Sequence, residues 1–154
     1  MTTELPDKLF YNCSALTSLT LPVNLTSIGT DCFKGSGIAN FAVAKGNTAY
    51  AAVDGILYSA DLREILFFPP KKQATELTIP KEVVTVGPGT FSNLTSLKKV
   101  VFEEGGTAPL TVGDYAFAYC YSLHTLVLPE RIGSSRLHTV SADALPEFFA
   151  GGLN

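Results

Sequence analysis

The chain has 154 residues, of which 46% are hydrophobic and only 16% charged, with a formal net charge of −3. That is enough for one domain removing roughly 70% of its unfolded surface from water, and the composition is too apolar and too weakly charged for a disordered chain. The slight acidic excess and the isolated pairs Lys71-Lys72 and Lys98-Lys99 give no basic footprint, so no nucleic-acid partner is expected; the apolar runs fall far short of the ~20 residues that span a bilayer, so no membrane insertion by this chain is expected.

From the N-terminus one pattern recurs: an aromatic, a gap, Leu-x-x-Leu-x-Leu-Pro, then a hydrophobic pair closing on glycine. Leu5 leads into Phe10, and the clearest unit continues as Leu16-Thr-Ser-Leu19-Thr-Leu21-Pro22 and Leu25-Thr-Ser-Ile28-Gly29. Phe33 follows 23 residues after Phe10 and leads to Ile38-Ala-Asn-Phe41-Ala-Val43. The period then breaks in an insertion over approximately residues 44–74. Within it Tyr50-Ala-Ala-Val53 and Ile56-Leu57-Tyr58-Ser59 flank Asp54-Gly55, the strongest short hairpin signal. A third strand over residues 64–68 is expected to stop at Pro69-Pro70.

The pattern returns as Leu77-Thr-Ile79-Pro80 with Val83 to Val86-Gly87, as Leu97-Lys-Lys-Val100-Val-Phe102, and as Leu123-His-Thr-Leu126-Val-Leu128-Pro129. Ile28 to Phe33, Val86 to Phe91, Val112 to Phe117 and Val140 to Leu145 are each five residues apart. Such a register predicts a solenoid of about five units. The two-residue period of a strand points the last two apolar positions into one core and leaves the residue between them in solvent. The aromatic is expected to plug the space between coils, and the proline to end strand pairing by removing a donor. Gly29, Gly87 and Gly113 are expected to turn the corner at positive φ, where Ser141 stands in the last unit. Residues 103–109 and 130–136 read as surface loops.

The units resemble the BspA-like, or treponemal-type, leucine-rich repeats, whose motif is Ile-Gly-x-x-Ala-Phe-x-x-Cys-x-x-Leu-x-x-Ile-x-Leu-Pro. Val112-Gly-Asp-Tyr-Ala-Phe-Ala-Tyr-Cys120-Tyr-Ser-Leu-His-Thr-Leu-Val-Leu-Pro129 matches it almost position for position, and Phe10-Tyr-Asn-Cys13-Ser-Ala-Leu16 also fits. The insertion is similar to one of that family, on Asn47 to Tyr50, Asp54 to Tyr58 and Pro69. The resemblance covers residues 5–145. It implies a mostly β fold with short helical turns: a right-handed leucine-rich-repeat solenoid with a parallel sheet on one face and an inserted hairpin or meander. The whole of residues 1–154 is expected to form this single domain. The resemblance also implies adhesion or partner binding at the cell surface or outside the cell, and it brings no catalytic residues. The chain begins mid-repeat without a leader-like segment, as expected of a fragment.

Individual residues give weak chemical signals. Cys13, Cys32 and Cys120 are odd in number and widely spaced, which indicates neither a disulfide framework nor a zinc site. Cys13 and Cys120 share a repeat position with Ser36 and Leu94, so both are expected in a buried slot. His124 begins a strand and is not expected to meet Cys120; His138 reads as a surface residue. Asp54, Asp61 and Glu64 lack the spacing of a calcium loop and read as turn chemistry. The Asn-x-Ser/Thr triplets at Asn12, Asn24 and Asn93 arise readily in repeats rich in those residues.

What remains is a ladder of outward strand residues: Thr20, Ala42, Thr78, Val101 and Val127, flanked by Ser18, Asn40, Glu76, Lys99 and Thr125. Its mostly uncharged character suits a partner-binding face, with an ordinary weakly polar sheet as the alternative. The expected function is therefore a non-enzymatic protein- or glycan-binding module that needs no metal or cofactor. A structural spacer in a longer repeat array is the alternative, and Phe148-Phe149 folding over the last coil as a cap would favour the first. A hydrolase hidden in the insertion lacks an assembled nucleophile, base and orienter.

Overall fold

The computed structural model of the chain describes residues 2–72, 74–113 and 115–129. The expectations for residues 130–136, His138, Val140 to Leu145, Ser141 and Phe148-Phe149 lie outside the described residues. The chain forms two compact units, Met1–Leu62 with Phe68–Lys72, and Arg63–Phe67 with Gln73–Asn154. Among the described residues each is a stretch of β-solenoid coils, and no helix occurs. Where short helical turns were expected, the lead-in to each strand is a string of isolated turns, such as Cys13 N to Phe10 O at 3.1 Å and Cys120 N to Phe117 O at 3.3 Å.

In the first unit β1 (Glu4–Leu5) pairs in parallel with β3 (Ser27–Ile28), and β2 (Ser18–Leu21) with β4 (Asn40–Val43). Leu21 and Phe41 turn inward and are buried with Leu25, Phe33 and Ile38, as the two-residue side-chain period requires. The Phe33 ring meets Phe41 edge-on at 5.0 Å and lies parallel to Phe10 at 6.1 Å. The hairpin forms where the sequence placed it, with β5 (Tyr50–Val53) antiparallel to β6 (Ile56–Ser59). Asp54 at φ 53° and Gly55 at φ 76° both take the left-handed conformation that a two-residue type I′ loop needs.

Asn47 ties the start of this hairpin to the preceding coil. Its Nδ2 donates to Pro22 O at 2.9 Å and Leu25 O at 3.1 Å, while its Oδ1 accepts from the N–H groups of Ala49 at 2.7 Å and Tyr50 at 2.9 Å.

In the second unit β7 (Glu64–Phe67), β9 (Thr85–Val86) and β11 (Thr111–Val112) form one parallel set. The other set is β8 (Glu76–Ile79), β10 (Lys99–Phe102) and β12 (Thr125–Val127), with β10 in the middle. Between them lie fully buried Ile79, Val83, Phe91, Leu97, Val100 and Phe102. The rings of Phe91 and Phe117 stack at 5.0 Å and 15°, filling the space between coils as the repeat predicted.

The proline stop is visible by contrast. Where proline is absent, Ala44 N donates to Leu21 O and Glu103 N to Ile79 O, each at 2.9 Å. Pro22, Pro80 and Pro129 have no N–H for such a bond.

The corner glycines differ from expectation. Gly29, Gly87 and Gly113 are not among the positive-φ residues. Gly29 and Gly113 are needed because backbones meet there: a Cβ on Gly29 would lie 2.5 Å from Pro6 C, and one on Gly113 would lie 2.6 Å from Pro88 N, whereas one on Gly87 would meet Thr90 Oγ1 at 3.3 Å and Ile65 O at 3.4 Å. Left-handed residues stand instead two before and two after each aromatic: Lys8 and Asn12, Asp31 and Gly35, Gly89 and Asn93, Tyr115 and Tyr119. The turn they shape sends N–H groups to the next coil, from Phe10 to Cys32 O and Asn12 to Lys34 O at 2.8 Å, and from Asn93 to Ala118 O at 2.8 Å.

Candidate functional site: the exposed strand ladder

In the second unit the ladder assembles into two parallel rows. Lys99 on β10 stands between Glu76 on β8 and Thr125 on β12, and Val101 stands between Thr78 and Val127. Neighbouring strands in any sheet lie about 4.8 Å apart, so side chains along a row are in reach of one another. Glu76, Thr78 and Val127 are exposed and Lys99, Val101 and Thr125 half-buried. Val127 keeps 43% of its surface in solvent, a high value for an apolar strand residue. Val100, Phe102, Ile79 and Leu126 on the same strands point inward and are buried, which fixes the outward direction of the ladder. One row therefore carries opposite charges and a hydroxyl, and the other carries no charge.

In the first unit the ladder has two rungs, Ser18 beside Asn40 and Thr20 beside Ala42. Ser18, Thr20 and Asn40 are exposed. The hairpin turn closes against this row: Phe41 N donates to Gly55 O at 2.9 Å, and a Cβ on Gly55 would collide with the Asn40 amide oxygen.

The other sequence candidates are dispersed. Cys120 donates its thiol to Phe91 O at 2.9 Å, whereas His124 is exposed with Nδ1 3.0 Å from Thr125 Oγ1. Burial pushes the Cys120 thiol up to about 11 from an ordinary 9.0, partly offset by a backbone hydrogen bond from Leu94. A thiol held protonated in this way is a poor nucleophile at neutral pH. Cys32 is buried and likewise raised by its burial. Cys13, expected in a buried slot, is exposed: it belongs to the coil of β1, which among the described strands pairs with β3 alone. Asp54 meets Lys72 at 3.4 Å, and Asp61 accepts from Ser59 Oγ at 2.7 Å; Glu64 lies in β7 of the other unit.

Cys120, expected in the same buried slot, is half-buried, and these environments predict that a neutral thiol reagent labels Cys13 rapidly, Cys120 slowly and Cys32 only on unfolding. The folded state holds the Cys120 proton between pH 9 and 11, where the unfolded thiol has lost it. Stability is therefore expected to fall as pH rises through that interval, and less so in Cys120→Ser. Equal labelling of all three thiols, or an alkaline loss unchanged in the variant, would contradict this assignment.

Three tyrosines escaped the sequence reading. Tyr115, Tyr119 and Tyr121 are 53%, 56% and 78% exposed, on the turn that leads into β12. The signal was there: these repeat positions hold Lys8, Asp31 and Gly89, then Asn12, Gly35 and Asn93, then Ser14, Gly37 and Thr95 in other coils.

A family model for the BspA-type leucine-rich repeat region matches residues 2–52 and 63–143 in six copies. Among solved structures, the pneumococcal vaccine antigen PcpA is 30% identical with a TM-score of 0.74, the match covering 83% of this chain and 31% of that one. A leucine-rich cell surface protein of Faecalibacterium prausnitzii is 22% identical with a TM-score of 0.68, over 84% of this chain and 34% of that one. A leucine-rich-repeat protein of Eubacterium ventriosum shares the fold at 23% identity and a TM-score of 0.54, over 83% of this chain and 52% of that one. The chain thus spans about a third of the first two structures. No curated protein matches it.

Proposed function

The chain belongs to the BspA-type leucine-rich-repeat family, and on that premise we propose that it is a non-enzymatic binding module of the adhesion type, holding a protein or glycan partner at the cell surface or outside the cell. The observation that carries this reading is the uncharged row of exposed Thr78, half-buried Val101 and exposed Val127, held in register on the outward face beside Glu76, Lys99 and Thr125. An apolar centre with a polar margin is the usual anatomy of a recognition surface. The smaller ladder of Ser18, Thr20 and Asn40 is a second contact area within its own unit. Cell-surface and vaccine-antigen descriptions of the similar structures support the location.

A structural spacer in a longer array is the second reading, favoured by the chain's spanning about a third of two of the similar structures.

The test is a screen of the full chain against extracellular proteins and glycans, repeated with Thr78→Glu/Val101→Glu. Each substitution would force an unpaired charge into the contact, so binding is expected to weaken about a hundredfold. At exposed Thr78 the change in stability should stay within about 0.5 kcal/mol, and at half-buried Val101 it is expected to cost about 1 kcal/mol, so Thr78→Glu alone serves as the folded control. Binding that survives the double variant places the contact elsewhere. Failure to bind across the screen favours the spacer.

A further inference from the structure

We propose that Tyr115, Tyr119 and Tyr121 form an aromatic platform that binds a neutral saccharide, with the C–H face of a sugar ring stacked on an exposed tyrosine ring. The first ground is conformational. Tyr115 at φ 58° and Tyr119 at φ 61° are left-handed, a region that disfavours bulky side chains and that glycine or asparagine occupies more easily. Asn12, Gly35 and Asn93 stand in the Tyr119 position of other coils, and Lys8, Asp31 and Gly89 in that of Tyr115, so the contrast in side chain is sharpest at Tyr119. Strain of this kind persists where surroundings enforce it or function uses it, and rings more than half exposed gain little packing in return.

The second ground is geometric. The Tyr119 and Tyr121 rings lie 6.1 Å apart at 64°, so one is a floor and the other a wall. Such a corner accepts one flat ligand ring, with the tyrosine hydroxyls at the rim to meet its hydroxyl groups. His124 and Thr125, paired at 3.0 Å, begin the strand that follows and add polar groups alongside.

The third ground is charge. Residues 115–129 contain no Asp, Glu, Lys or Arg; the neighbouring charges are Asp114 before the segment and Lys99, in register with Thr125 on the next strand, so the turn that carries the rings offers no charge of its own to an ionic ligand. Three side chains on one turn also present much less than the roughly 800 Å² that each partner contributes to a standard protein interface. A ligand of one or two sugar rings fits that area. This site is separate from the Thr78–Val101–Val127 row, and its ligand does not depend on what that row binds.

The experiment is a titration of the full chain with maltohexaose, cellohexaose and chitohexaose, each followed by amide heteronuclear NMR. At least one sugar is expected to bind saturably in the millimolar range, with shifts centred on residues 115–125. Tyr119→Asn and Tyr121→Thr, which install residues found at these positions in other coils, should each weaken that binding about tenfold. Tyr119→Asn should melt no lower than the parent, which separates loss of the platform from loss of the fold. Silence of all three sugars would overturn the proposal. So would shifts confined to β8, β10 and β12, binding that survives both substitutions, or a protein partner seated on the tyrosines while the sugars remain silent.

Discussion

Phe91→Ala is expected to lower stability by about 3–5 kcal/mol, the usual loss when a buried phenylalanine is truncated and its cavity fails to close. Phe91 is fully buried and stacked at 5.0 Å on Phe117, and its N–H donates to Ala116 O at 2.7 Å. The backbone bond survives the substitution, but the ring contact on which two coils meet does not. Phe91→Leu keeps most of the volume and should cost roughly 1–2 kcal/mol. Urea unfolding followed by circular dichroism reads both values. A loss under about 1 kcal/mol for the alanine variant would mean that the ring is not the filler of the second unit.

The second large effect is expected at Asn47, in the first unit. Asn47→Ala removes donors from Pro22 O and Leu25 O and an acceptor from the N–H groups of Ala49 and Tyr50. At roughly 0.5–1.5 kcal/mol net for each of the four bonds, the expected cost is about 2–6 kcal/mol. Asn47→Asp separates the two halves of the clamp. It keeps the acceptor but sets a carboxylate against two carbonyl oxygens, so at neutral pH it is expected to be no more stable than the alanine variant. An Asp variant as stable as the parent would show that only the Ala49 and Tyr50 bonds matter.

The contrast between these residues shows what the sequence exposes. Phe91 was legible because a plug recurs five residues after each lead-in position and its side chain is the same in Phe10, Phe33, Phe91 and Phe117. The hairpin was legible because Asp54-Gly55 acts locally, through the conformations of two adjacent residues. The outward rows were legible because strand periodicity alone decides which side chains face solvent.

The left-handed positions were hidden for the opposite reason. Lys8, Asn12, Asp31, Tyr115 and Tyr119 share a backbone state and no side-chain chemistry, so no residue pattern marks them. At Gly29 and Gly113 the right residues were singled out for the wrong cause, since close approach of two chain segments and positive φ both call for glycine. Cys13 and Cys120 have the same repeat position, but exposure depends on what is stacked on a coil, and an alignment of repeats is blind to that. Periodicity also leaves open which strands share hydrogen bonds: β2 with β4, and β10 with β8 and β12, are paired within their own units.

The bonds between lead-in turns bear on how such a chain can lengthen. Phe10 to Cys32 and Asn12 to Lys34 join residues 22 apart, and Asn93 to Ala118 joins residues 25 apart. In a compact domain that grows by adding elements, later contacts close ever wider intervals, and the entropy lost rises with each. Here the interval stays at one coil however many coils precede it. A tandem duplication of one such segment therefore adds contacts without widening any existing closure, and the cost of ordering the newest coil is that of ordering the first pair. Length in this architecture is set by how much surface is useful, with no penalty that grows along the chain.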